Sequence, residues 1–451
     1  MKIAVISAFL FDDCIGGAEN HIRFLCRELT ALGHDIVIFK PSLDGPDRQS
    51  VVDGLQIHHV SESHQQAESG LQPLLCELQL ARSFSSARRN TAPSRDGALT
   101  AFLRAAVQLA GTGPIGRTGT LLRKLSFARL TPQLCAAVRQ FNPDVVWQHD
   151  FLSSWLAVRR LSAHYPTVLT NHQAQYIYLR RSAPGALLLR GLLRHYNAII
   201  GPSTELTPDW RDNCHTIWNG VDSALFQPLP QTARAALRSR LYGVSEPRHV
   251  ILCPRRWAPT KGVTVFIAAA AELFRNRADL RDRTTLVFVG SGYSEYPRYT
   301  AEVHRALKSL TCDVRLIGDV DAYDMVQHYQ SADLSVIPSF MEAVSLATLE
   351  SMSCQCPVIA SDVGGLSELI QDGVTGWLVP PGDPPALART MERVLDNHDI
   401  AAAVGRRSRQ FVAGPLSWSS IARRTERVLT ESAVRPASTV AEVPLRSLHR
   451  P

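Results

Sequence analysis

Long apolar runs are missing from this chain of 451 residues. The most helix-like apolar stretch, Ala186 to Ile200, is broken by Arg190 and Arg194, so no membrane span is expected, because a span needs about 20 apolar residues. A secretory leader is not apparent either. The apolar start, Lys2 to Leu10, meets Asp12 and Asp13 in place of a small-residue cleavage site and reads as a first strand. Nine cysteines, an odd number without regular spacing, do not suggest a disulfide framework, and Cys354-Gln355-Cys356 is too little for a zinc site. Reduced thiols in a cytoplasmic protein are expected. Acidic clusters are scarce: Asp319-Val320-Asp321 is the sole D-x-D triplet, and it reads as a helix N-cap rather than a metal site. The formal charge of +7 is modest at this length and calls for no nucleic-acid partner. It is compatible with a phosphate-bearing ligand, an anionic lipid, or composition alone.

What is present is alternation. Lys2 to Ala8 reads as strand, Ala18 to Leu32 as helix and Asp35 to Phe39 as strand, a βαβ start. Later strands are expected at Asp144–Trp147, Thr167–Thr170, Ala198–Gly201, His249–Cys253, Leu286–Val289 and Val314–Ile317, with helical patterns between them. Helices over 383–396 and 401–412 close the second half, and one over about 416–432 follows. This predicts an α/β class with two Rossmann-like domains, 1–205 and 216–412, and a disordered tail from 434 to 451.

The chemistry-bearing stretch runs from Pro338 to Met352. A buried strand, Ala332 to Pro338, stops at the proline, and a short helix opens at Ser345, so Glu342 lies in the strand-to-helix loop and Glu350 on the helix. Ligands of parallel α/β sheets bind beyond the carboxyl ends of strands, where helix N-termini face anions. Hydrolytic carboxylates stand roughly 5 to 9.5 Å apart, whereas eight helical residues span about 12 Å; hydrolysis is therefore disfavoured for this pair. Farther upstream, Arg256 and Lys261 flank a helix start, where two fixed cations can stabilise negative charge. Arg255 is an additional cation with no role readable from sequence.

Taken in order, Pro338 to Met352, Pro357 to Gly365 and Asp372 to Pro380 resemble the retaining GT-B glycosyltransferases of family 4, including the E-x7-E motif at Glu342 and Glu350. Arg256 and Lys261 match that family's R-x4-K, Asn219-Gly220-Val221-Asp222 its linker, Gly16-Gly17 its N-terminal signature, and Leu169 to His172 the segment carrying an active-site histidine. The resemblance implies two domains facing a central cleft and a nucleotide diphosphate-sugar as donor substrate, with neither cofactor nor metal. It implies Glu342 on donor-sugar hydroxyls, Glu350 on the ribose, His172 beside the donor sugar, and Arg256 with Lys261 on the diphosphate. Gly16 and Gly17 would border the diphosphate. Gly290 and Gly318, at strand ends, would let a nucleotide approach, and Ser345 and Leu346, at the helix start, complete the expected donor site. Ala343, Ser345 and Cys356 depart from the family's usual small or glycine residues, which bears on donor preference. His149, next to Asp150 at a strand end, is open to a structural or a functional reading.

The acceptor is not legible: a small natural product, a polysaccharide or a lipid-linked sugar all fit. Between Arg82 and Arg129 nine Lys or Arg residues accompany one acid, Asp96, and this basic stretch reads either as a solvated face or as an acceptor or membrane-surface patch. A nucleotide-sugar-binding protein without turnover, and a nucleotide-sugar epimerase on the same fold, are the alternatives to a transferase.

Overall fold

A computed structural model describes residues 1–8, 10, 16–42, 45–61, 127–244, 248–292 and 296–434. The expected tail beyond 434, and the basic stretch as far as residue 126, lie outside them. The chain divides into two compact units, one of residues 1–14, 29–200 and 427–451, the other of 15–28 and 201–426.

In the first unit, strands β1 (Lys2–Ile6), β2 (Asp35–Pro41), β3 (Arg48–Val52), β4 (Leu55–Val60), β5 (Val145–Gln148), β6 (Thr167–Thr170) and β7 (Ala198–Gly201) lie in the order β3-β4-β2-β1-β5-β6-β7. All neighbours are parallel except β3 with β4. That hairpin turns on Asp53 and Gly54, both at positive φ, the pairing that matches strand twist in a two-residue loop. Ile3, Ala4, Val5 and Ile6 are all fully buried, as a parallel strand covered on both faces requires.

Helix α1 (Gly17–Ala31) begins in the other unit's share of the chain, and α2 (Thr131–Phe141), α3 (Trp155–Leu161), α4 (Ala174–Arg180) and α5 (Ala183–Leu193) belong to this one. Residues 127–130 form a 3-10 turn, and α2 starts only at Thr131. Pro132 is the cause: it lacks an amide hydrogen and is tolerated only in a first helical turn.

The second unit carries β8 (Cys214–Thr216), α6 (Gln231–Tyr242), β9 (His249–Pro254), α7 (Val263–Asn276), α8 (Ala278–Asp282), β10 (Thr284–Val289), α9 (Pro297–Leu307) and β11 (Asp313–Gly318). Then follow α10 (Ala322–Ser331), β12 (Leu334–Ile337), α11 (Leu346–Ser353), β13 (Val358–Ser361), α12 (Gly365–Leu369), β14 (Trp377–Val379), α13 (Pro384–Asp396) and α14 (His398–Ala413), while α15 (Trp418–Val434) begins in this unit and ends in the first unit's share of the chain. Six parallel strands lie in the order β11-β10-β9-β12-β13-β14. The order reverses direction at β9 and β12, the switch point at which such sheets open a crevice.

At the amino ends of these strands Asp333 ties the unit together. Its carboxylate accepts from Arg238 at 2.6 Å, Arg234 at 3.4 Å and the Val250 amide at 2.8 Å. Ligand-facing residues are left to the carboxyl ends.

Candidate active site

Just past β9 the chain turns, and Arg255 points inward, only 7% exposed, whereas Arg256 is exposed. Consecutive residues of an extended segment face opposite sides, and the inward one meets the loop after β12. Arg255 donates to Ser339 Oγ and Ser345 Oγ, both at 3.1 Å, and to Glu342 Oε2. Lys261 Nζ donates to the same carboxylate oxygen at 2.7 Å, and the Ser339 hydroxyl at 3.1 Å.

Burial is the largest influence on Glu342 and pushes its carboxyl up. The charges of Lys261 and Arg255, with hydrogen bonds from Lys261 and Ser339, outweigh burial and hold the group down at about 2. Burial also lowers the Lys261 ammonium, to about 8, against the opposing pull of Glu342. Both groups are charged at neutral pH.

Backbone contacts fix the same loop. Phe340 N–H donates to Thr260 O at 2.9 Å, Gly365 N–H to Glu342 O at 3.2 Å, and Asn219 Nδ2 to Val344 O at 2.6 Å. Gly262, which follows Lys261, has φ +64, and a Cβ there would lie 1.8 Å from Pro338 O. Gly290 has φ +119, and a Cβ would lie 2.6 Å from Arg255 O. Both glycines are therefore dictated by packing of the site's own backbone.

Ser345 occupies the N-cap position of α11 in an extended conformation but makes no side-chain cap; its hydroxyl serves Arg255 instead. One and a half turns on, Glu350 is 8% exposed, and Tyr329 of α10 donates its hydroxyl to Glu350 Oε2 at 2.8 Å. Burial raises this carboxyl to about 7, although the Tyr329 hydrogen bond and the Arg255 charge work in the opposite direction. The solvated helix face that a bare amphipathic reading would give Glu350 is thus not what the fold provides. Helix α11 is held by side-chain bonds: Ser353 Oγ donates to Phe226 O at 2.7 Å, Ser351 Oγ lies 3.0 Å from Ser335 Oγ, and Arg409 donates to Ser353 O.

Within the second unit, Gly16, Gly17, Arg256, Lys261, Gly290, Glu342, Ser345, Leu346 and Glu350 line one open cavity. Gly318 does not line it, although its carbonyl accepts from Gly290 N–H at 2.7 Å and so shapes the turn that does. A Cβ on Gly17 would meet nothing within 4 Å, so no contact of the chain itself demands glycine there. Arg255, Tyr329 and Asp319, the first residue of the D-x-D triplet, join the lining without belonging to the family motifs. Asp321 caps α10 as expected, accepting from Tyr323 N–H at 2.9 Å. Asp319 accepts from Ser291 N–H at 2.9 Å and from the Ser291 hydroxyl at 2.5 Å.

His172 belongs to the first unit, in the loop between β6 and α4. Its Nε2 lies 3.3 Å from His149 Nδ1, and the two rings stack at 5.5 Å. His149 in turn packs on Trp147, with ring centroids 4.3 Å apart. Asp150 works locally: its carboxylate accepts from the amides of Leu152 and Ser153 and from the Ser153 hydroxyl, ordering the turn before α3.

Comparison with known proteins follows the same division. The family described as "Glycosyl transferase 4-like domain" matches residues 16–212, and that described as "Glycosyl transferases group 1" matches 248–397. A D-inositol 3-phosphate glycosyltransferase of Thermobispora bispora is 34% identical over 225 residues, covering 49% of this chain and 51% of that protein. The matches to it and to a homologue from Geodermatophilus obscurus thus span about half or less of those relatives. A glycogen synthase of Mycobacterium tuberculosis is 25% identical over 450 residues, covering 95% of this chain and 94% of that one. Among solved structures, a sucrose-phosphate synthase from Thermosynechococcus elongatus superposes with a TM-score of 0.71 at 20% identity, over 95% of this chain and 98% of that chain. The Anabaena protein HepE in complex with UDP-glucose gives 0.66 at 17%, over 96% and 100%. The chain belongs to the GT-B-fold glycosyltransferases of the group 1 and 4-like type, built from two Rossmann-like α/β units.

Proposed function

We propose that the protein transfers a sugar from a nucleotide diphosphate-sugar to an acceptor hydroxyl with retention of anomeric configuration and without a metal ion. The observation that carries this reading is the Arg255–Glu342–Lys261 cluster, in which one largely buried carboxylate is held between two cations in the lining of an open cavity. In the proposed mechanism the exposed Arg256 and the ammonium of Lys261 take up the charge that develops on the departing diphosphate, a role that preorganised cations fill without reorganisation. Arg255 keeps Glu342 ionised and aimed, so that its second oxygen accepts from a donor-sugar hydroxyl. His172 hydrogen-bonds the donor sugar, and a diphosphate oxygen accepts the acceptor's proton on the leaving-group side.

UDP-glucose, the ligand of the Anabaena protein, is the first donor to test, and inositol phosphate, named for the half-length relatives, is among the first acceptors. Release of nucleotide diphosphate that depends on acceptor, with an α-linked product by its anomeric proton coupling, is the expected result. A β-linked product overturns retention, and acceptor-independent formation of an epimer overturns transfer itself.

Glu350 is assigned to the ribose, whose vicinal hydroxyls donate to its carboxylate. Glu350→Gln is expected to weaken binding of the free nucleoside diphosphate by about 1.5 to 3 kcal/mol in calorimetry, the loss for a hydrogen bond to a charged group. Because the carboxyl titrates near 7, the gap in affinity between wild type and variant should widen from pH 6 to pH 8 as the carboxylate forms. A gap that stays constant over that range removes Glu350 from the ribose.

A further inference from the structure

No helix among the described residues is long and apolar enough to cross a membrane. One helix nevertheless presents apolar side chains outward. In α5 the residues Gly185, Leu189, Leu192 and Leu193 are buried, which fixes the inward face. The opposite face carries Pro184, Leu187, Gly191 and Arg194, all exposed, with Leu187 72% exposed. Helix α4 packs on α5 and adds Tyr178, 37% exposed, with the guanidinium of Arg181 6.0 Å from its ring.

The charged residues of this stretch of sequence have one sign. From Phe151 through Thr204 the sequence contains no Asp or Glu, yet it contains Arg159, Arg160, Arg181 and Arg194, all exposed. Arg159 and Arg194 come together around His195: burial lowers that imidazole most, and the two guanidinium charges lower it further. An ordinary surface helix of a soluble protein turns polar residues of both signs to water. Exposed leucine and tyrosine on a segment whose charged residues are all arginine match instead a surface with an apolar interior and an anionic skin.

We propose that the outward face of the α4–α5 hairpin docks onto an anionic lipid surface, with Leu187 and Tyr178 entering the headgroup region and Arg159, Arg181 and Arg194 meeting lipid phosphates. This interaction does not depend on the sugar-transfer reading. It also concerns a different stretch of the sequence from the basic one between Arg82 and Arg129.

The test is flotation of the full chain with vesicles of phosphatidylcholine alone and of phosphatidylcholine mixed with phosphatidylglycerol, at low and high salt. Binding to the anionic vesicles alone, falling with salt, is expected. Each basic side chain at an anionic surface contributes about five-fold in affinity, so Arg181→Gln with Arg194→Gln should weaken binding about 25-fold. Leu187→Gln should weaken it about ten-fold through lost apolar burial. These positions are exposed, and unchanged thermal unfolding would confirm intact variants. Equal binding to neutral vesicles, binding to neither, or wild-type binding by the arginine pair overturns the proposal. So does loss with the arginine pair but not with Leu187→Gln, which would mark a surface for soluble polyanions.

Discussion

Lys261→Ala is expected to lower turnover on the order of 100-fold or more, as removal of one preorganised donor to a developing anion does elsewhere, while affinity for the intact donor falls far less. The reason lies in where charge appears. A diphosphate bonded to sugar has less negative charge than one that has departed, so a cation beside it gains most as the bond breaks. Lys261 is suited to this because its ammonium is already partly stripped of water, which is what draws it down to about 8, and because one partner, Glu342, holds it at 2.7 Å. The fold should survive the change. Arg255 still neutralises Glu342, so the variant leaves no carboxylate buried without a cation, the circumstance that makes broken buried pairs costly. Steady-state kinetics and donor binding measured together check the split; wild-type turnover removes Lys261 from the transition state.

Gly262→Ala should be the most damaging single-methyl change in this unit's loops. Left-handed backbone alone costs a non-glycine residue about 1 to 2 kcal/mol. Here the added carbon would also lie 1.8 Å from Pro338 O, so either the turn after Lys261 or the loop carrying Glu342 must move. A loss of about 3 kcal/mol or more is expected from the two effects together. Gly243→Ala supplies the control: Gly243 has φ +67, and an added methyl there would meet nothing within 4 Å, so it should lose only the backbone share. Denaturant unfolding of both variants measures the difference. Equal losses would mean that the contact with Pro338 relaxes at no cost.

Much of this architecture is legible from residue order. The strand ending at a proline, the loop bearing Glu342 and the helix opening after Ser345 correspond to β12 and α11 within a residue or two, because a short apolar run and a turn signal are local properties. Of the motif residues, Gly16, Gly17, Arg256, Lys261, Glu342 and Glu350 line one cavity, whereas His172 belongs to the other unit. What resists reading is which neighbour each charge will find. Arg255 and Arg256 are adjacent and chemically alike in sequence, and only the path of the chain past β9 decides that the first is buried against Glu342. Tyr329 lies 21 residues before Glu350 on another helix, and no spacing rule couples them; their bond exists because α10 and α11 pack together. The start of α2 is signalled by Pro132 alone.

Helix α11 has eight residues, well short of the roughly 12 to 15 at which an isolated helix becomes even marginal in water. Its hold comes from Ser335, Phe226 and Arg409, which are drawn from distant parts of the unit. An unfolded chain therefore presents Glu350 on no helix at all, and a ligand that needs this carboxylate is a ligand of the native state alone. By mass action such a ligand raises the free energy of unfolding by RT ln(1 + [L]/Kd), about 2.7 kcal/mol at a hundred-fold excess over Kd. Melting curves taken across a panel of nucleotides can thus rank candidate donors before any acceptor is known.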